Sequence, residues 1–180
     1  ALAAFCPDQV RNTCLVFDPQ GERVARYDKI HLFGFEKDGE RYDESASIEA
    51  GERPVTFATP FGCVGLSICY DIRFPELYRR LGVDSLLVVP AAFTETTGRA
   101  HWEILLRARA IENQCYVLAS AQGGRHENGR ETHGNSMLID PWGVVLARQD
   151  KGEGVVIGDL DQKRLADVRG SLPALKHRVM

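Results

Sequence analysis

No window of the chain comes near the eighteen or so continuous apolar residues that a membrane-spanning helix needs, so no such helix is expected. There is also no basic block and no interleaving of Lys or Arg with aromatic residues, and the formal net charge is −3. That argues against nucleic acid or an anionic membrane surface as the main partner and leaves a small molecule as the expected one. Cysteine is scarce and odd in number: five residues, at 6, 14, 63, 69 and 115, with no C-x-x-C and no Cys/His spacing of the zinc type. Neither a disulfide framework nor a metal centre is expected, and the pattern suits reduced thiols in a soluble, cytoplasmic protein. Repeats, low-complexity tracts and linkers are missing too. The opening "ALAAFCPDQVRN" is too short and wrongly flanked for a signal peptide. Because residue 1 is Ala, the reading expects the gene product to start upstream.

What is present is a chain of 180 residues, 44% hydrophobic and 26% charged, which reads as one globular domain over 1–180 with apolar surface for a single core. Strands and helices take turns. "NTCLVFD" and "ERVARYD" flank the turn "PQG" and read as two strands, with Lys29 just beyond the second. Residues 34–54, rich in charge and Gly, read as a long loop. "VTFATPFGCVGLSIC" reads as two short strands around Pro60–Gly62, and "FPELYRRLG" as a helix with Pro75 early and Gly82 at its end. "SLLVVP" and "CYVLASA" are buried strands either side of an amphipathic helix over 100–114, whose apolar residues Trp102, Leu105, Leu106 and Ala110 keep helical spacing. "QGGRHENGRETHGN" is a polar loop, "SMLIDPWGVVLAR" two strands around an Asp140–Gly143 turn, "GVVIGDLD" a last strand and "QKRLADVRGSL" a last helix.

One stretch decides the chemistry. In "VGLSICYDIRFPE", residues 64–76, an apolar run delivers Cys69 to the point where the pattern changes into the start of a helix. A cysteine in an apolar strand is usually core filler, and Cys63 and Cys115 keep that reading. Cys69 differs by its place at a strand-to-helix junction.

Four blocks then carry a resemblance: "YDKIHLF" at 27–33, "GLSICYDIRFPEL" at 65–77, "HWEILLRARAIENQCYV" at 101–117 and "GNSMLIDPWG" at 134–143. Together and in this order they resemble the carbon-nitrogen hydrolase (nitrilase) superfamily. The stretch "TGRAHWEILLRARAIENQCYVLASAQGGRH" is most similar to its deaminated glutathione amidase branch, and next to the ω-amidase branch.

The resemblance implies an α/β fold, an α-β-β-α sandwich that here lacks its N-terminal segment, and a Glu-Lys-Cys triad without cofactor or metal. An amide carbonyl is a poor electrophile, so a thiolate must form, the tetrahedral oxyanion must be stabilised, and a proton must reach the departing ammonia. Cys69 matches the nucleophile and Lys29 the triad lysine. The Lys29 ammonium and the helix start after Cys69 are expected to lower the thiol pKa, and Lys29 with the Tyr70 backbone N–H to bind the oxyanion. Glu44 matches a second glutamate that orients the lysine and the substrate. The triad's general base belongs to a Phe-Pro-Glu setting before the first strand pair. Among residues 1–28 the acids are Asp8, Asp18, Glu22 and Asp28, and none has that setting. Glu76 follows Phe-Pro, yet its position after the nucleophile matches a different block.

Arg125 and His126 meet a substrate carboxylate in one reading and belong to a solvated loop in the other. Glu103 either lines the pocket or caps neighbouring polar groups. His31 and His101 are read as structural, since a lysine-based site needs no imidazole. Three function classes follow: a thiol amidase cleaving a small carboxylate-bearing amide through a Cys69 thioester, with ω-amidase or nitrilase activity as its near alternative; a catalytically silent interaction module; and a redox protein using Cys63 and Cys69. On one continuous strand those two cysteines would lie roughly 20 Å apart, too far for a disulfide. The family architecture implies a homodimer or larger even-numbered homo-oligomer, with helix 100–114 and the C-terminal segment near its interface.

Overall fold

The computed structural model describes residues 10–37 and 39–179, so Cys6 and Asp8 lie outside the described residues. Its frame is a six-stranded mixed sheet in the order β12-β11-β8-β7-β6-β5. The strands are β5 (Val55–Thr59), β6 (Gly62–Leu66), β7 (Leu86–Ala91), β8 (Tyr116–Ala121), β11 (Ser136–Ile139) and β12 (Val145–Gln149). β6, β7 and β8 run parallel, and hairpins make both margins antiparallel. Parallel neighbours need crossovers, and these carry α1 (Pro75–Leu81) and α2 (Glu95–Asn113).

The period-2 alternation of β7 assigns the faces. Leu87 and Val89 join Val117, Met137 and Ile139 beneath Leu77 and Tyr78 of α1 and Trp102, Leu106 and Ala110 of α2. Leu86 and Val88 point the other way. Leu86 packs with Tyr116, Leu138 and Leu165 under α3 (Gln162–Ser171), while Val88 meets Leu66, Ile68 and Tyr27 under the hairpin of β1 (Thr13–Phe17) and β2 (Arg23–Asp28). The described chain is therefore a helical layer, a six-stranded sheet, and a two-stranded sheet with α3 on the far face.

Four expectations about elements are corrected. Residues 34–54 hold a hairpin, β3 (Gly34–Lys37) with β4 (Glu40–Asp43), and a 3₁₀ turn Glu44–Ala46; its short, charged strands lack an apolar face to betray it. The loop after β8 likewise contains the hairpin β9 (Gly123–Arg125) and β10 (Glu131–His133). Residues 154–161 form no strand: Val155 and Ile157 are 79% and 81% exposed and Val156 packs inward, so the alternation is real but no strand among the described residues pairs with it. The central helix also begins five residues before the expected 100, capped by Thr94, whose side chain accepts from the Thr97 N–H. Thr and Gly hide that start because both are weak helix formers. Gly98 is required there, since a Cβ would lie 2.3 Å from the Cβ of His133.

Candidate active site

Cys69 sits where β6 gives way to a 3₁₀ turn, Cys69–Arg73, with φ of 50°. That left-handed backbone is strained for a non-glycine residue and lifts the side chain out of the strand direction. The turn is held by Asp71, which is fully buried. Its carboxylate accepts from the Ile68 N–H at 2.9 Å, the Tyr27 hydroxyl at 2.6 Å and the His31 N–H at 3.0 Å, and His31 Nδ1 lies 2.8 Å away. Tyr27 and His31 bracket Lys29, so one buried acid locks the cysteine turn to the lysine segment. His31 also stacks on Phe74 at 3.7 Å between centroids.

Lys29 is 2% exposed and its ammonium is ion-paired with Glu44. Its backbone is clamped on both sides: the Lys29 N–H donates to Asn12 O and the Gly51 N–H donates to Lys29 O. Only glycine fits at 51, where a Cβ would fall 2.1 Å from Asp28 O. Glu44 accepts in addition from the Phe33 N–H at 2.7 Å and the Asn12 amide at 3.1 Å. Burial alone would raise the Glu44 carboxyl, but these donors outweigh it and hold it below the usual glutamate range.

Cys69, Lys29 and Glu44 line one cavity of about 600 Å³, together with Tyr70, Phe93 and Arg130. The thiol does not carry the depressed pKa expected from the sequence. Burial pushes it up; Lys29 and the Ala92 N–H pull it down, and Glu44 opposes Lys29. Glu44 thus offsets part of the lysine's effect on the sulfur, and α1 begins only at Pro75, six residues beyond Cys69.

The remaining predicted residues are sorted by the fold. Tyr70 lines the cavity, its ring edge-on to Phe33 and Phe74. Glu103 is outside it, on α2, accepting from Arg107 at 3.5 Å and Arg148 at 2.9 Å. Arg125 is exposed and His126 bonds Thr132 at 2.9 Å, neither of them on the cavity wall. The loop's cavity residues are instead Gln122 and Arg130, which sequence reasoning missed. Asp71 was missed as well. Cys63 and Cys69 are both free thiols, as are Cys14 and Cys115, and burial drives Cys115 up to about 12.

Residues 3–170 match the carbon-nitrogen hydrolase family model, and the chain belongs to that family. A deaminated glutathione amidase of Synechocystis sp. is 52% identical over 174 residues, covering 93% of this chain and 64% of that protein. The crystal structure of the Caenorhabditis elegans NitFhit protein superposes with a TM-score of 0.89 at 44% identity, over 96% of this chain and 43% of that one. A mutant amidase from Nesterenkonia sp. AN1, with acrylamide added to its active site cysteine, matches at a TM-score of 0.74 and 30% identity, over 94% of this chain and 65% of that one. The chain spans less than two thirds of the length of the curated relatives it matches.

Proposed function

We propose that this chain carries the nucleophile, the lysine and the lysine-orienting glutamate of a thiol amidase that hydrolyses a small, carboxylate-bearing amide to acid and ammonia. The observation that carries the reading is the single cavity wall on which Cys69 lies with the buried Lys29–Glu44 pair. Relatives named deaminated glutathione amidase favour the amide substrate, and the covalently modified cysteine of the Nesterenkonia amidase supports a cysteine nucleophile.

In this mechanism the Cys69 sulfur attacks the amide carbonyl carbon, and the carbonyl electron pair moves to oxygen as an oxyanion beside the Lys29 ammonium and the Tyr70 N–H. The C–N bond then breaks, the nitrogen takes a proton and leaves as ammonia, and water hydrolyses the Cys69 thioester to the acid. Glu44 is committed to Lys29, so the proton carrier is placed outside the described residues, in the triad glutamate that the family pattern puts upstream. Such a general acid–base typically contributes about a hundred- to ten-thousandfold.

We read the assembly as a homodimer in the cytoplasm, a reading supported by the outer face of α2 and the β11–β12 turn, where Ile104, Ile111 and Trp142 are 69%, 49% and 52% exposed. Light scattering that gives only monomer contradicts this. A panel of dicarboxylic monoamides, including deaminated glutathione and α-ketoglutaramate, scored for ammonia release on the full-length gene product, tests the activity. Turnover confined to nitriles, or absent from every amide, contradicts the reading.

A further inference from the structure

The same cavity is lined by a second cation, Arg130, that the mechanism above does not use. A tight turn at residues 126–129, closed by the His126 and Gly129 backbone bonds, aims Arg130 into the cavity. The guanidinium lies 5.2 Å over the Tyr42 ring and donates from Nη2 to Ala92 O at 2.7 Å. Ala92 is the residue whose N–H faces the Cys69 sulfur, so Arg130 grips the same short segment that touches the nucleophile. Its Nε–H is buried and meets no acceptor among the described residues. Lys29 has its carboxylate in Glu44, whereas no described carboxylate pairs with Arg130. The cavity's one other lining acid, Asp43, is exposed and takes up Ser45 through its N–H and hydroxyl.

A half-buried guanidinium stacked on an aromatic ring, with a donor unpaired among the described residues, suits a carboxylate. We propose that Arg130 is the specificity-determining residue of this site, binding the carboxylate at the far end of the substrate while the amide lies at Cys69. This rests on the amidase reading for the identity of the amide end only. Neutral amides of the same length then lack the anchor and leave the Arg130 donor unpaired.

The test is binding, which needs no turnover. In a full-length Cys69→Ala background, calorimetry compares glutaramate, which has an amide at one end and a carboxylate at the other, with the uncharged diamide glutaramide. Glutaramate should bind about 10- to 100-fold tighter, the usual range for a charge-assisted bond. Arg130→Met should erase that ratio by weakening glutaramate alone, Arg130→Lys should keep part of it, and Arg125→Met, on the exposed side of the hairpin, should leave it intact. If Arg130→Met fails to melt cooperatively, Arg130→Gln replaces it as the neutral variant. Equal affinities for the two compounds, binding of neither, or a ratio that survives in the neutral variant would overturn the proposal. Ammonia release by the unsubstituted protein separates the two readings: a ratio without turnover sinks the amidase and leaves Arg130, whereas turnover without a ratio does the reverse.

Discussion

The two sides of the cavity are built differently. On one side Cys69 and Lys29 are fixed by a fully buried carboxylate, by a backbone clamp at Gly51 and by the three donors of Glu44. On the other, Arg130 stands on the polar hairpin β9–β10, held by its bond to Ala92 and its stacking on Tyr42. Reacting atoms need positions good to about half an ångström, which only a supporting shell of locked side chains supplies. Recognition of a flexible substrate tolerates a loop, and loops on a rigid frame are where binding specificity is set. The contrast predicts that damage to the first side costs stability and chemistry together, whereas damage to the second costs affinity alone.

The sharpest way to break this contrast is Asp71→Ala. It strips the acceptor from three buried or partly buried donors, and the expected loss is about 3 kcal/mol or more in urea unfolding. Arg130→Met should change unfolding by under about 1 kcal/mol. If the two variants cost the same, the walls are not differently built.

Lys29→Met comes next, with an expected loss of about a hundred- to a thousandfold in turnover from the missing oxyanion donor. The Cys69 thiol already lies above its ordinary value through burial, and removing the cation that pulls it down should move the midpoint of iodoacetamide alkylation to still higher pH. An alkylation profile unchanged by the substitution would show that Lys29 does not act on the sulfur.

Glu44→Gln should have a smaller effect, visible in pH dependence. Because the folded carboxyl lies below its unfolded value, its stabilisation is complete above the ordinary glutamate pKa of about 4.3 and is lost as pH falls through the lower folded value. The stability difference between parent and Glu44→Gln should therefore shrink on acidification below that pH. A difference that stays constant or grows would place the Glu44 contribution elsewhere than in its charge.

The smallest effect concerns the strained turn. At φ of 50° glycine is unstrained, so Cys69→Gly should be more stable than Cys69→Ala by about 1 kcal/mol, while both lack turnover. The opposite order would mean that the turn is not left-handed in solution.

The sequence made some of this legible and hid the rest for physical reasons. The apolar runs of "SLLVVP" and "CYVLASA" located the sheet, the Pro75 and Gly82 signals bounded α1, and the block around Cys69 marked the candidate nucleophile, since each depends on neighbours in the chain. Arg130 was passed over for Arg125 and His126 because a polar hairpin without apolar periodicity gives no hint of which side chain turns inward. Glu103 was ambiguous because its partner Arg148 is 45 residues away. Asp71 reads as an ordinary loop acid until the fold brings Tyr27 to it, across 44 residues. The segment 154–161 shows the limit of periodicity: alternation reports a face, but a strand needs a neighbour.

The claim on which everything else depends is that the Cys69 sulfur becomes acylated. The direct measurement is intact-mass spectrometry of the full-length protein, quenched in acid during turnover of a monoamide, followed by peptide mapping. The account predicts an adduct of substrate mass less ammonia, confined to the peptide carrying Cys69, labile to hydroxylamine and lost in Cys69→Ala. An adduct on Cys14 or Cys63 in place of Cys69, or ammonia released with no acyl adduct on any cysteine, would contradict it.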